Sequence, residues 1–561
     1  MTAPVNRPMT AVSSMRVSIL MAMMAMGSGC AKEPPATLST AKPSPTPQLL
    51  DMGRRLYDKQ CAVCHGPKGA GDGQAAYLLY PKPRDFTQGE FRLVSTDTMQ
   101  ATDEDLFLTV TRGMPGSAMP PWELLSPEQR WALVYYVRYL EEVGEQQRSG
   151  ALTEAEVSQG LPWSRVEPLV AAHAAEQPIP VPPETSRTSD GIARGRNIFA
   201  EACASCHGPQ GRGDGQQVMT DNAGFPIKPR DLTAGVFKGS SESRDLYYRI
   251  VAGLPGSPMP SYAGVYTDEQ LWDLIHYVQS LVPPGVEERV RLRHQTVQAR
   301  RVRGDIPSDP SADIWNSVQP VSVAVTPLWW RDQRIEGLDI KALHDGKELA
   351  FHLSWDDPTR DDSLVGQQAF SDGVAVQLST EPDPPFFGMG GADGAVHLWY
   401  WKASWQEDVA AWRDLETAYP DAAVDWYPGQ RDYRHGDAFE VRDAKTTSQE
   451  PSLMAGWGAD NPLSMPTRTS AAEEAAAKGL GTLTSRPLPA PQSEAARQAG
   501  LPVGLQATGE WREGRWRVVL HRPLAPTEKG DLVLRPGQKV SVAFAVWDGQ
   551  AEDRDGQKSV S

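Results

Sequence analysis

Two stretches of this chain carry one helical pattern. Trp131, Val134, Tyr135 and Arg138 recur at helical spacing in "EQRWALVYYVRYL", and Trp272, Ile275 and His276 do so in "EQLWDLIHYVQSL". "SPEQ" and "TDEQ" just ahead supply N-caps and first-turn acids, so an amphipathic helix is predicted at each place. The likeness extends upstream: "CAVCHGPKGAGDG" from Cys61 matches "CASCHGPQGRGDG" from Cys203, "KPRDFT" matches "KPRDLT", and "GMPGSAMP" matches "GLPGSPMP". The offset drifts by a few residues, so the loops differ while the landmarks persist. Each repeat is predicted to be helical at both ends with a Gly/Pro-rich middle.

From about Asp305 the pattern changes to short β-prone runs: "PVSVAVTPLWW", "ELAFHLSW", "DGVAVQLST", "AVHLWYW", "RWRVVLHRPL" and "KVSVAFAVWDG". They are bounded by Gly, Pro, Asp and Asn, which predicts an antiparallel sandwich. Residues 436–505, rich in Ala, Ser, Pro and Glu, read as an insertion or loops. The predicted plan is two all-α domains, 48–146 and 189–284, followed by an all-β sandwich domain, 305–561. Linkers are expected at 31–47, 147–188 and 285–304, from their Pro-rich or aperiodic composition.

The N-terminus reads as an export signal, residues 1–30. Arg7 and Arg16 precede the apolar run Val17–Met26, which is too short to span a bilayer as a helix, and "GSGC" follows. Cys30 resembles the lipidated cysteine of a bacterial lipoprotein, although Gly27 stands where that pattern has an aliphatic residue; ordinary cleavage is the alternative. Either route takes the chain out of the cytoplasm, and lipidation at Cys30 would anchor a periplasmic protein to a membrane. The charge changes the picture in one respect: 55 Lys+Arg against 71 Asp+Glu give a net charge of −16, which argues against a nucleic-acid partner.

Four of the five cysteines lie in the two C-x-x-C-H motifs, so no structural disulfide is expected. That motif attaches a c-type haem: Cys61 and Cys64, or Cys203 and Cys206, add to the vinyl groups, and His65 or His207 supplies an iron ligand. A zinc site would need four N/S ligands per motif, and no second C-x-x-C or paired His is nearby. The sixth ligand should be shared between the repeats. Met114 corresponds to Leu254, whereas Met119 corresponds to Met259, so Met119 and Met259 are selected. The glycine loops lack the Lys and Ser/Thr of a phosphate loop. His173 and His276 have no counterpart in the other repeat and read as ordinary linker and helix residues.

These motifs resemble class I cytochrome c domains. The resemblance implies that Arg84 and Arg230 lie near haem propionates; a structural turn held by an Arg–Asp pair is the other reading of "KPRD". The C-terminal stretches "IKALHDGKELAFHLSWDDPTRD", "FFGMGGADGAVHLWYWKASWQ", "RWRVVLHRPL" and "SVAFAVWDGQAEDRDGQKSVS" resemble the haem-b-binding domain of the ethylbenzene dehydrogenase-related family. In that family the domain serves as an electron-transfer subunit of periplasmic molybdenum enzymes. The resemblance implies a haem b held between Met389 and Lys558, with His397 and Lys402, on opposite faces of one strand, as competitors. The family continues with a further strand after the lysine, where this chain has three more residues. Trp329, Trp330, Trp355, Trp399, Trp401 and Trp405 fit a haem pocket, a glycan platform or a plain core.

The expected function is therefore a multihaem electron carrier, two haem c and one haem b, exchanging electrons with redox protein partners such as a molybdenum oxidoreductase, and performing no bond chemistry itself. The alternatives are a di-haem peroxidase-like enzyme and a haem-tethered module that binds a partner or glycan.

Overall fold

The computed structural model describes residues 41–561 except 174–175, 222–223, 332, 365–367, 381–394, 411–472, 479–482, 487–504, 527–531 and 555. In the first repeat, helix α1 (Pro47–Gln60) passes through Cys61 directly into α2 (Ala62–His65), followed by α3 (Asp103–Arg112) and α4 (Pro127–Arg148). A capping box between Ser126 and Gln129 starts α4 where "SPEQ" predicts it. The predicted stripe of Trp131, Val134, Tyr135 and Arg138 is buried. Helix α1 crosses α4 at Gly53, where a Cβ would lie 2.0 Å from the Ala132 carbonyl oxygen, so the crossing requires glycine.

The stretch 147–188, expected as a linker, instead contains α5 (Glu154–Gln159) and α6 (Trp163–Val170). Val166 and Val170 pack with Leu49, Ala132 and Tyr135, while Leu169 packs with Val143 and Leu152. The i, i+3, i+4 spacing of Val166, Leu169 and Val170 forms this apolar face despite the surrounding prolines. The second repeat then repeats the first: α7 (Ser189–Ala202), α8 (Ala204–His207), α9 (Ser243–Val251) and α10 (Asp268–Ser280). A capping box of Thr267 and Gln270 opens α10, and α7 crosses it at Gly195, a Cβ there falling 2.0 Å from the Asp273 carbonyl oxygen. A hairpin of β1 (Met219–Thr220) and β2 (Pro226–Ile227) is an addition in the second repeat.

Beyond this the chain is β-rich. Strands β3 (Arg300–Arg301), β4 (Val321–Ala324), β6 (Gly337–His344), β7 (Glu348–Asp356), β12 (Gln506–Trp511) and β13 (Arg515–Pro523) form one sheet in the order β12-β13-β7-β6-β3, with β4 on β6. All its pairings are antiparallel except β3 with β6. Strands β5 (Thr326–Pro327), β8 (Gly373–Ser379), β9 (Ala395–Lys402), β10 (Glu473–Lys478), β11 (Leu483–Arg486), β14 (Ser541–Trp547) and β15 (Ser559–Val560) form the other, ordered β11-β10-β9-β8-β14-β15-β5. Each quoted β-prone run forms a strand, and β10 and β11 lie within the stretch read as loops.

Residues of both sheets enter one apolar cluster, including Leu353 and Trp355 of β7, Trp516 of β13, Trp399 and Trp401 of β9 and Phe544 of β14. Trp355, Trp399 and Trp401 are fully buried, which makes them core rather than glycan platform. The other face of β7 is covered too, because Ala350 packs with Ile306 and Trp315. Among the described residues no helix is long and apolar enough to cross a membrane.

Two buried polar groups distinguish these parts. In α4 the Arg138 guanidinium is fully buried, donating to Asp103 at 2.8 Å and Glu141 at 2.7 Å and to the Ala101 carbonyl. Burial pushes the Asp103 carboxyl up, but Arg138 and Lys42 outweigh it and hold it below its usual range. Arg138→Met takes the guanidinium from buried Glu141 and leaves Asp103 with Lys42, and should cost about 3–5 kcal/mol. Denaturant melts should show that loss; a change under about 1 kcal/mol would mean the network is solvated.

In the β-rich part Asp357, Asp372 and Asp548 bring carboxylate oxygens within 4.8 Å of one another. Asp372 accepts hydrogen bonds from the backbone N–H of Asp361 and Gly549 and from the Trp516 indole. Burial and the neighbouring Asp357 nevertheless push Asp372 up to about 8, while burial and Asp548 push Asp357 up to about 6. The folded state thus keeps protons that the unfolded chain releases near pH 3.8. The stability they contribute is complete below that pH and is lost as pH rises through about 8. In chelator, the β-rich part should melt at a lower temperature at about pH 9 than at about pH 5, with a shallower fall in Asp372→Asn. An equal fall in both proteins would show that the carboxylates are not its cause.

Candidate functional site

The junction of α1 and α2 places Cys61, Cys64 and His65 on one turn, and all three line a cavity of about 490 Å³. That volume is in the range of cofactor pockets, roughly 300–1,000 Å³. The cavity is also lined by Met114 and Met119, by Arg84, and by apolar groups such as Leu133 and Phe86. His65 Nδ1 lies 2.9 Å from the Arg84 carbonyl oxygen. A carbonyl only accepts, so Nδ1 carries the proton and Nε2 presents its lone pair, the arrangement of a metal-binding imidazole. Phe86 stacks on the ring at 4.4 Å, and burial pushes the imidazole down to about 4, which keeps it neutral.

The same device holds His207, whose Nδ1 lies 3.3 Å from the Arg230 carbonyl oxygen and whose pKa burial also lowers. The glycine loops fold back on the short helices: Gly71 N–H donates to the His65 carbonyl at 2.9 Å, and Gly213 N–H to His207 at 2.8 Å. In "KPRD" the side chain of Asp85 caps Thr87 N–H at 2.9 Å, as Asp231 caps Thr233 at 2.8 Å. The turn is therefore held by Asx capping, with no Arg84–Asp85 ion pair among the described residues.

The methionine loops match as well. Met114 N–H donates to the Met119 carbonyl at 3.1 Å and Leu254 N–H to Met259 at 3.3 Å, and Ser117 and Ser257 close the two loops identically. Met119 reaches the first cavity, and Met259, like Cys203 and Tyr262, packs against the second repeat's core. Burial pushes Cys61 up to about 12 and both Cys64 and Cys203 up to about 11, so they sit as neutral sulfur. The Cys/His sets do not converge as chelates: among the described residues the acidic trio is the one grouping of three such donors within 4.8 Å. Attachment through thioethers fits this arrangement, whereas a zinc cluster does not. His173 and His276 are tied to Glu142 at 3.1 Å and Glu184 at 2.9 Å, away from these sets.

In the β-rich part Lys558 is buried, its ammonium 5.1 Å from the centre of the Trp547 ring. Met389 lies outside the described residues. Of the competitors, His397 is half-buried on β9, and Lys402 sits over Tyr400 and Trp405 at 5.3 and 5.2 Å. The Lys558 carbonyl accepts from Leu328 N–H at 2.9 Å, and the Leu328 carbonyl accepts from Tyr80 N–H at 2.9 Å. Tyr80 precedes the cavity-lining Pro81 and stacks on Trp329 at 5.2 Å. Sequence reasoning gave no signal for this junction, since neither Tyr80 nor Trp329 belongs to a motif.

Comparison with known proteins follows these divisions. The family model described as cytochrome C oxidase, cbb3-type, subunit III matches residues 48–137, cytochrome c matches 192–282, and ethylbenzene dehydrogenase matches 312–559. The chain is 27% identical over 264 residues to a putative respiratory nitrate reductase heme subunit of Haloferax mediterranei, covering 46% of this chain and 67% of that one. It is 27% identical over 272 residues to the dimethylsulfide dehydrogenase subunit gamma of Rhodovulum sulfidophilum, covering 46% and 72%. Among solved structures, a chain of the reducing HAO-like protein complex of Kuenenia stuttgartiensis is 35% identical, with 43% of this chain and all of that one covered and a TM-score of 0.36. The helical half of this chain accordingly belongs to the cytochrome c family and its β-rich half to the ethylbenzene dehydrogenase family.

Proposed function

We propose that the chain is an exported electron-transfer subunit with two covalent haem c groups, ligated by His65 and Met119 and by His207 and Met259, and one haem b between Lys558 and Met389. The observation that carries the reading is the cavity where Cys61, Cys64, His65 and Met119 meet, with His65 Nδ1 committed to the Arg84 carbonyl. Bound haem supplies a one-electron couple; the chain's own residues fix its orientation, exclude water and set its potential. Thioether ligation favours the reduced state relative to a second imidazole. The identical hydrogen bonding of both methionine loops supports two filled sixth positions and speaks against a peroxidase, which needs an open one.

The relatives are heme and gamma subunits of a reductase and a dehydrogenase. By that likeness the chain carries electrons for a catalytic partner, and we propose a periplasmic molybdenum oxidoreductase, with a lipid anchor at Cys30 and the β-rich half closed as a sandwich. The Leu328–Tyr80 contact supports a relay in which the first repeat receives electrons from, or gives them to, the β-rich part.

A pyridine haemochrome of the purified protein should give haem c and haem b in a ratio near 2:1; haem c alone would exclude Lys558 and Met389 as ligands. Met119→Ala and Met259→Ala should each remove one low-spin Met/His signature from the electron paramagnetic resonance spectrum. Unchanged spectra would refute these ligands, and turnover of hydrogen peroxide by the unaltered protein would favour an enzyme.

A further inference from the structure

The two repeats face each other through cations at equivalent positions. Arg84 corresponds to Arg230 in "KPRD", and Arg92 in "GEFR" corresponds to Lys238 in "GVFK". Each repeat sends one of these residues to the other's methionine loop. Arg92 donates to the Pro255 carbonyl at 3.2 Å, and Arg230 donates to the Gly116 carbonyl. Gly116 adopts a positive φ of 75°, and a Cβ there would lie 2.4 Å from the Arg230 guanidinium carbon, so glycine suits the contact. The exchange runs both ways, although through different positions of the two repeats.

Lys238 goes further. Phe237, buried in the second repeat's core, anchors its backbone, yet the side chain lines the first repeat's cavity together with Arg84 and Arg92. Among the described residues it has no ion pair or hydrogen bond. Its principal electrostatic neighbours are Arg230, Arg92 and Arg84, and burial together with these like charges lowers its pKa well below the usual lysine range. The cavity's acidic groups, Asp85, Glu90 and Asp221, do not resolve this: Asp85 caps a turn and Asp221 pairs with Arg92 at 3.5 Å. Converging cations with no protein anion on Lys238 create a place for an outside carboxylate.

Resting on the haem reading above, we propose that Lys238 of the second repeat binds a propionate of the first repeat's haem. Lys238 would hold it together with Arg84 and Arg92, which line the same cavity. A residue of the second repeat would thus stabilise the anionic edge of the first repeat's haem and tune its potential. Lys238 is a positioning residue that acts on potential by its charge.

The test is a potentiometric titration of the full haem-loaded chain carrying Lys238→Met, Lys238→Gln or Lys238→Arg. The first repeat's haem is assigned by Met119→His, which shifts that centre's couple. Removing a cation near the haem favours the more positive, oxidised iron. Lys238→Met and Lys238→Gln should therefore lower the potential of the first haem more than that of the second, at an unchanged two covalent haems per chain. Lys238→Arg should retain the original value, and Lys228→Met, at an exposed lysine nearby, should shift neither. An unmoved first potential with both haems present, a shift confined to the second haem, or an equal shift from Lys228→Met would overturn the proposal. Absence of covalent haem from the unaltered protein would overturn the haem reading itself.

Discussion

Much of this molecule is arranged around one hydrogen bond, from His65 Nδ1–H to the Arg84 carbonyl, and its copy between His207 and Arg230. A four-residue helix cannot fix an imidazole by its own packing, since its ends have few intrahelical bonds. The carbonyl therefore has to be delivered from elsewhere. The "KPRD" turn does this, locked by its Asp cap and joined to the glycine loop where Phe86 N–H donates to the Gly69 carbonyl at 2.7 Å and Leu232 N–H to that of Gly211 at 2.7 Å. Glycines, proline turn and aspartate cap thus serve one end: a neutral ring with Nε2 facing the cavity. The long helices supply the wall behind it, which is why α1 and α4, and α7 and α10, must meet closely at Gly53 and Gly195.

The repeats diverge where they meet other parts. The first is wrapped by α5 and α6, bonded to the β-rich part at Tyr80, and joined to the second repeat through Arg92, Arg230 and Lys238. The first repeat is thereby bonded on two sides, to the second repeat and to the β-rich part. The second repeat carries the β1–β2 hairpin and gives Trp330 a cationic neighbour, the Arg230 guanidinium 3.8 Å from the ring centre. In the proposed relay the two repeats differ in their neighbours rather than in their ligands.

The repeats were readable in the sequence because their constraints are local. An N-cap, a helical stripe and a C-x-x-C-H turn each announce themselves within a few residues, and Ser126, Thr267, Trp131 and Trp272 stand where the pattern puts them. The β-prone runs were equally legible, since alternation in "ELAFHLSW" separates Leu349, Phe351, Leu353 and Trp355 from Ala350 and His352. What escaped depends on distant partners. Pro168 and the flanking prolines disguised α6 as linker, and the acidic trio draws on Asp357, Asp372 and Asp548, far apart in sequence. Lys238 gave a partial signal, being the repeat partner of Arg92, but its crossing into the other cavity belongs to tertiary packing.

The central claim is that three six-coordinate haems are strung on one chain as single-electron stores. Controlled-potential coulometry of the purified, oxidised protein, with its spin state followed in parallel, tests this most directly. The account predicts uptake of three electrons per chain, with low-spin iron throughout. Uptake of fewer than three, or a high-spin centre persisting in the oxidised protein, would contradict it.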